Sequence, residues 1–324
     1  MSKTTVLMPP NWLGDVVMAQ PALRAIALAA KDDKLLLFGR AWLDDLLPFL
    51  NLDHADISYV ETMPKHADAT FLFPNSLRSA LQAFAARAKQ RIGFRKEGRG
   101  IFLTHPYTSR VDLMSQHHRG YYLDLLQQYG IKTPFDAVQL STPPQEQEAA
   151  RTLLEEHGIN SKRVVCVAPG AQFGAAKRYP ALAYAQVLAY LSDAGWDVVI
   201  LGTPAEREIA DICASHIQGA CWNAAGQTSL RQALQLVSVS ALMLCNDSGL
   251  MHVAAGMQIP TVCMFGATNP ARTSPSGEHV EVLYQPAHCS PCLQRECDVQ
   301  GHPCMVNIPP SMVRDACLKM LEKV

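Results

Sequence analysis

The stretch from Leu242 to Phe265 constrains the fold of this 324-residue chain more than any other. Leu242–Cys245 and Pro260–Phe265 are short apolar runs, and between them Leu250, Val253, Ala254 and Met257 recur at helical spacing. The segment predicts a strand, a tight turn, a helix and a second strand. Its turn, Asn246-Asp247-Ser248-Gly249, leaves backbone N–H groups unpaired at the positive end of a helix dipole, which makes a ready anion site. Asp247 and His252 are expected to face the same crevice. Capping of the helix by Asp247 or Ser248 is the plainer alternative. A cap requires only one such residue, however, and here an acid, a hydroxyl, a glycine and a histidine fall within seven positions.

The same alternation runs along the whole chain. Strands are predicted at Thr4–Met8, Leu35–Phe38 and Ala69–Phe73. Between them come a helix with Val16, Ala19, Leu23, Ile26, Ala27 and Ala30 on one face, and a short helix over Ala41–Leu47. A helix over Leu77–Ala88 places Leu77, Ala80, Leu81 and Phe84 at core spacing, and another covers Tyr121–Tyr129. Pro143 and Pro144 mark Ser141–Gln145 as a linker, followed by a helix over Gln145–His157. A second set then starts at Arg163–Ala168, with helix 180–193, strand Asp197–Leu201 and helices 204–216 and 228–237. Such alternation predicts α/β domains with parallel sheets. The length predicts two of them, drawn at 1–155 and 156–324, with a ligand cleft between them and the last helix, Pro310–Lys323, crossing back onto the first.

A net charge of −1 gives no field that would attract nucleic acid. The apolar stretches 22–30 and 234–245 are too short to span a bilayer, and no signal-peptide core is present, so a cytoplasmic protein is expected. Six of the ten cysteines sit mostly within apolar runs and are expected to be buried. The other four, Cys289, Cys292, Cys297 and Cys304, follow a C-x2-C-x4-C-x6-C spacing beside His288 and His302. A structural zinc site, reduced thiols and a disulfide all stay open for them.

Three further segments carry chemistry. Asp15 follows Gly14 at a strand-to-helix turn, where it can serve as a general base or merely cap the helix. Ala168–Pro180 is glycine-rich, with Gly170 and Gly174 allowing close backbone approach to a phosphate and Lys177 adding a cation. Segment 78–99 sets Arg78, Arg87, Lys89, Arg91, Arg95, Lys96 and Arg99 against Glu97 alone, either as a solvated face or as a site for an anionic partner.

N-D-S-G-L-M-H-V-A-A-G at 246–256, with P-T-V and F-G-A-T-N-P after it, resembles the nucleotide-sugar signature of the ADP-heptose:lipopolysaccharide heptosyltransferases, glycosyltransferase family 9. N-W-L-G-D-V-V-M-A-Q-P-A-L at 11–23 and P-G-A-Q-F-G-A-A-K-R-Y-P at 169–180 resemble two more of its motifs. P-N-S-L-R-S-A-L at 74–81 and R-I-G-F-R at 91–95 are similar to the acceptor side of the heptosyltransferase II group. The resemblance implies a GT-B fold, two Rossmann-like domains facing a central cleft. It implies an inverting transfer of heptose from ADP-heptose onto the first heptose of the lipopolysaccharide inner core, with no cofactor needed for catalysis. Heptosyltransferases I or III, another nucleotide-sugar transferase and a nucleotide-sugar epimerase of the same fold remain alternatives. In residue terms, the resemblance implies Asp15 as base and Lys177 as the cation on the departing diphosphate. Gly170, Glu206, Asp247, Ser248, Gly249 and His252 would hold the donor. Glu208 is the alternative to Glu206, and a solvated acid at a helix start is the plain reading of either. Asn11, Arg78 and Arg95 would meet the acceptor, an anionic glycolipid (Kdo-lipid A bearing heptose). The resemblance also implies that the basic segment 78–99, through Arg78 and Arg95, serves acceptor or membrane-surface docking, with the protein in peripheral contact with the cytoplasmic face of the inner membrane.

Overall fold

The computed structural model describes residues 2–52 and 55–322, in two compact units, Met1–Ser141 and Thr142–Val324. The first unit runs β1 (Thr4–Met8), α1 (Leu13–Ala29), β2 (Lys34–Phe38), α2 (Trp42–Leu46), β3 (Asp56–Val60), β4 (Ala69–Leu72), α3 (Leu77–Ala85), β5 (Gln90–Phe94), β6 (His105–Tyr107) and α4 (His118–Tyr129). Among the described residues its strands form one parallel six-stranded sheet, ordered β3-β2-β1-β4-β5-β6. The buried runs Val6–Met8, Leu35–Phe38 and Phe71–Leu72 explain why these strands lie inside: with helices on the sheet, both faces of each strand are covered.

The second unit runs α5 (Pro144–Glu156), β7 (Val164–Ala168), α6 (Ala181–Asp193), β8 (Asp197–Ile200), α7 (Arg207–Ala214), β9 (Cys221–Asn223), α8 (Leu230–Ser238), β10 (Leu242–Asn246), α9 (Gly249–Gly256), β11 (Thr261–Phe265), α10 (Pro270–Thr273), β12 (Val280–Tyr284), α11 (Pro303–Val306) and α12 (Pro310–Leu321). Its sheet, also parallel, is ordered β12-β11-β10-β7-β8-β9. Renumbered from its own first strand, this is the order of the first sheet, the 3-2-1-4-5-6 order of nucleotide-binding doubly wound folds. In each unit the chain reverses its direction of growth once, between β1 and β4 and between β7 and β10. Ligands of such sheets bind outside the carboxyl ends of the strands at that point.

Three expectations are corrected. The boundary falls after Ser141 rather than at 155, because α5 packs on α8 of the second unit. There the buried Glu146 carboxylate accepts hydrogen bonds from the Arg231 guanidinium and from Gln235 Nε2 (2.6 Å). The last helix, expected to return to the first half, packs on α6 and along β10, β11 and β12 of its own unit. Its predicted final residue, Lys323, lies outside the described residues. The third correction concerns α3. Its large side chains, expected in the core, point outward: Leu77 and Leu81 are each 40% exposed and Phe84 50%, while the small Ser79, Ala80 and Ala83 are buried. Ala80 and Ala83 pack with Val6, Met8, Leu36 and Leu72, so only small residues fit beneath this helix.

Candidate functional site

In the first unit, the turns after β1 and β4 and the start of α4 enclose a pocket of about 190 Å³ beside the switch point. Asp15 and Asn75 line it from the two turns, and His118, Tyr121 and Tyr122 from α4. Asp15 stands in the first turn of α1, where the helix dipole favours an anion, but it is not the cap. That position belongs to Trp12, whose side chain makes no capping bond. His118 Nδ1 lies 3.8 Å from Asp15 Oδ1, a charge neighbour when protonated and too distant for a strong hydrogen bond. The His118 ring stacks on Tyr122 (centroids 5.5 Å apart, planes 19° apart), which fixes it facing the carboxylate. Burial, and then the nearby Asp15 charge, push the Tyr122 phenol well above its ordinary acidity range, so it stays neutral. Tyr121 Oη donates to Asn75 Oδ1 at 2.9 Å, joining α4 to the β4 turn. Asn11 and the half-exposed Trp12 form the rim.

The basic segment divides once it is folded. Arg99 is fully buried, with Nε donating to Phe94 O (2.8 Å) and Nη1 to Ser79 Oγ (3.0 Å) and Pro74 O. Burial lowers its pKa to about 10. It is a structural cation held by carbonyl dipoles. Arg91 is likewise turned inward, donating to Phe102 O and Ala88 O. Arg78 and Arg95 are exposed and lie outside the pocket lining, with Arg95 Nε bonded to Thr108 Oγ1 at 2.6 Å.

In the second unit one buried side chain organises the switch point. Asn246 closes β10, and its Nδ2 donates to Pro169 O (2.7 Å) and Gly170 O (3.2 Å). Its Oδ1 accepts from Tyr179 N (3.0 Å) and Tyr184 Oη (3.1 Å). Both ends of the glycine-rich loop are thus stapled to one residue, and the span between them carries Lys177. Lys177 Nζ lies 2.6 Å from Asp247 Oδ2, and Thr268 Oγ1 donates to the same oxygen at 2.5 Å. Asp247 is therefore a buried ion-pair partner. Ser248 occupies the cap position of α9 without making a capping bond, and its buried Oγ has no partner among the described residues. Neither residue serves as the plain cap that the local pattern allowed. His252 is buried on α9, and Gly249 opens that helix.

Glu206 and Gly170 meet at the edge of this site. The Glu206 carboxylate is buried, and Oε2 accepts from Thr203 N (2.8 Å) and Thr203 Oγ1 (2.9 Å). A Cβ at residue 170 would fall 1.9 Å from Glu206 Oε1, so any side chain there would displace the Glu206 carboxylate. Glu208, the alternative, is exposed. Lys177 and Arg295 both lie over the Phe173 ring, 4.8 and 5.3 Å from its centre. Arg295 comes from the cysteine-bearing loop, which closes on the Lys177 loop: Ala176 N donates to Arg295 O (2.9 Å), and His302 Nε2 lies 3.0 Å from Ala176 O.

The model of glycosyltransferase family 9 (heptosyltransferase) matches residues 61–302. The chain belongs to that family. Lipopolysaccharide heptosyltransferase 2 of Salmonella typhimurium is 31% identical over 302 residues, covering 85% of this chain and 86% of that protein. Its Escherichia coli counterpart is 31% identical over 303 residues, with the same coverage. The solved structure of E. coli ADP-heptose lps heptosyltransferase II superposes with a TM-score of 0.82 at 24% identity, covering 100% of this chain and 99% of that one. The chain is accordingly a glycosyltransferase of GT-B architecture.

Within this heptosyltransferase-family chain, Asp15 lies in the first unit's pocket, and Gly170, Lys177, Glu206, Asp247 and Ser248 gather at the second unit's switch point. Sequence reasoning missed His118, Asn246 and Arg295 as parts of these sites. The adjacent His117-His118-Arg119 cluster was the only signal for the first. Cys289, Cys292, Cys297 and Cys304 are free thiols, and no group of three His, Cys, Asp or Glu that could hold a metal ion is found among the described residues. Cys304 Sγ packs against Gly266 in the core; burial raises its pKa, a hydrogen bond with Ser290 opposes the rise, and the neighbouring Cys297, Cys289 and Cys292 add to it. Cys297 Sγ lies 3.5 Å from Val299 O.

Proposed function

We propose that this chain transfers L-glycero-D-manno-heptose from ADP-heptose to the first heptose of the lipopolysaccharide inner core, a reading supported by its likeness to proteins named lipopolysaccharide heptosyltransferase 2. The observation that carries this reading is the Lys177–Asp247 pair (2.6 Å) beside the α9 N-terminus and the unpaired Ser248 Oγ. Lys177, Ser248 and the first α9 amides at Gly249 form a cationic and hydrogen-bonding cradle for a diphosphate. Asp247 and His252 then face the sugar. Glu206, against Gly170, offers Oε1 to the ribose hydroxyls.

In the proposed reaction, Asp15 takes the acceptor hydroxyl proton as that oxygen bonds to C1 of the heptose. The bond from C1 to the diphosphate oxygen breaks, and ADP leaves with the electron pair, inverting the anomeric centre. Asn11, Arg78 and Arg95 would contact the anionic acceptor. No resident metal is needed, because Lys177 and the helix N-terminus supply the charge compensation. The acceptor is a glycolipid, so the protein would work at the cytoplasmic face of a membrane; no helix among the described residues is long and apolar enough to cross one. Purified protein given ADP-heptose and a heptose-bearing core acceptor should yield the extended core by mass spectrometry. Absence of product, or Asp15→Ala activity equal to wild type, would sink the reading.

A further inference from the structure

Helix α3 is built inside out. Its inner face is Ser79, Ala80 and Ala83, and its outer face carries Leu77, Leu81 and Phe84 at i, i+4 and i+7. An ordinary surface helix does the reverse, because exposed leucines and phenylalanine forgo the burial that stabilises a fold. The outward stripe continues into the 3-10 turn 99–102. Phe84 meets Phe102 edge to face (centroids 5.4 Å apart), and the neighbouring Ile101 is 82% exposed, the most exposed large apolar side chain among the described residues.

Cations ring this patch. Arg78 lies on α3 between Leu77 and Leu81. The Arg91 guanidinium sits 5.4 Å from the Phe84 ring centre, and the Arg95 side chain lies against Gly100, next to Ile101. Arg87 is exposed just past the end of the helix. Arg78, Arg87 and Arg95 form no ion pair with any of the described residues. An apolar stripe framed by unneutralised arginines matches one partner chemistry: a bilayer surface with anionic headgroups, whose acyl region takes the apolar side chains while its phosphates meet the guanidiniums.

We propose that the outer face of α3, with Ile101, docks this enzyme onto an anionic lipid surface by shallow insertion of Leu77, Leu81, Phe84 and Ile101. The proposal deepens the reading above, which places the acceptor in a membrane. The test uses vesicles without acceptor, so that it is independent of catalysis. Wild type should float with phosphatidylethanolamine–phosphatidylglycerol vesicles and not with phosphatidylcholine vesicles, and sodium chloride should weaken the binding. Leu81→Ser with Phe84→Ser should lower partitioning by about tenfold or more, since each removes buried hydrocarbon. Arg87→Ser should lower it less and flatten the salt dependence. Leu81 and Phe84 are half-exposed, so circular dichroism should keep the folded signal and the melting temperature should fall only modestly. Turnover of a deacylated, water-soluble acceptor should also persist in the double variant, while turnover of vesicle-embedded acceptor falls. Failure of wild type to bind anionic vesicles, or equal binding by the double variant, would overturn the proposal and leave the transferase reading standing. Concentration-dependent dimers abolished by the double variant, with no vesicle binding, would assign the face to a second copy and overturn it as well.

Discussion

At the scale of single residues, the two sites divide the chemistry, and the proposal makes different variants fail in different ways. Asp15→Asn should lower kcat by about 10²-fold or more, with donor affinity measured by calorimetry unchanged, because only the base is lost. Asp247→Ala should weaken ADP-heptose binding, and it also strips Lys177 of its ion-pair partner. His118→Ala should reduce kcat by about tenfold through loss of the neighbour that faces Asp15, again without changing donor affinity. An equal loss of donor affinity in Asp15→Asn and Asp247→Ala would contradict this division. Asp15, Lys177 and Asp247 were legible in the sequence because each sits inside a short local motif. Asn246 was not, since its four partners come from a loop and a helix far upstream and only the folded sheet brings them to it. Asn246→Ala would leave those buried groups unpaired, and thermal unfolding should show about 2–3 kcal/mol of destabilisation.

Among the elements, the long helices and most interior strands were legible from apolar spacing, while the edge strands β3, β6, β9 and β12 and the interior strand β5, inside the basic segment, were not. The periodicity of α3 announced a helix correctly but assigned its large residues to the core. A hydrophobic stripe shows which face is apolar and says nothing about what covers it. The α5–α8 contact offers a test at this scale. Hydrogen bonding from Arg231, against the opposing effect of burial and with further help from Gln235, holds the Glu146 carboxyl below the usual range. A lowered folded pKa means that the contribution is present above the unfolded carboxylate range and is lost as pH falls through the folded value. Glu146→Ala should therefore cost about 1–2 kcal/mol at neutral pH, discounted for the partly exposed Arg231, and less once the wild-type carboxyl is protonated. A penalty undiminished at low pH would point to packing instead.

Across the whole molecule, one strand order occurs twice, and each unit carries its own sheet, core and site. Denaturation is therefore expected to show two transitions, of which Glu146→Ala moves only one. A single shifted transition would contradict that expectation. The proline pair at 143–144 pointed to the linker, but the boundary expected from sequence came late because nothing local shows that α5 packs with the second sheet's helices.

The pairing of Lys177 with Asp247 bears on how the catalyst recycles. With no donor in place the site neutralises itself, so a simple anion must displace a carboxylate and gives Asp247 nothing in return. In the proposed site a nucleotide sugar would complete the exchange, with phosphate for the lysine and hydroxyls for the aspartate. ADP, the proposed product, satisfies only half of it, and closure of the resting pair competes with its retention. The substrate should be held more tightly than the product, and turnover should be little slowed as ADP accumulates.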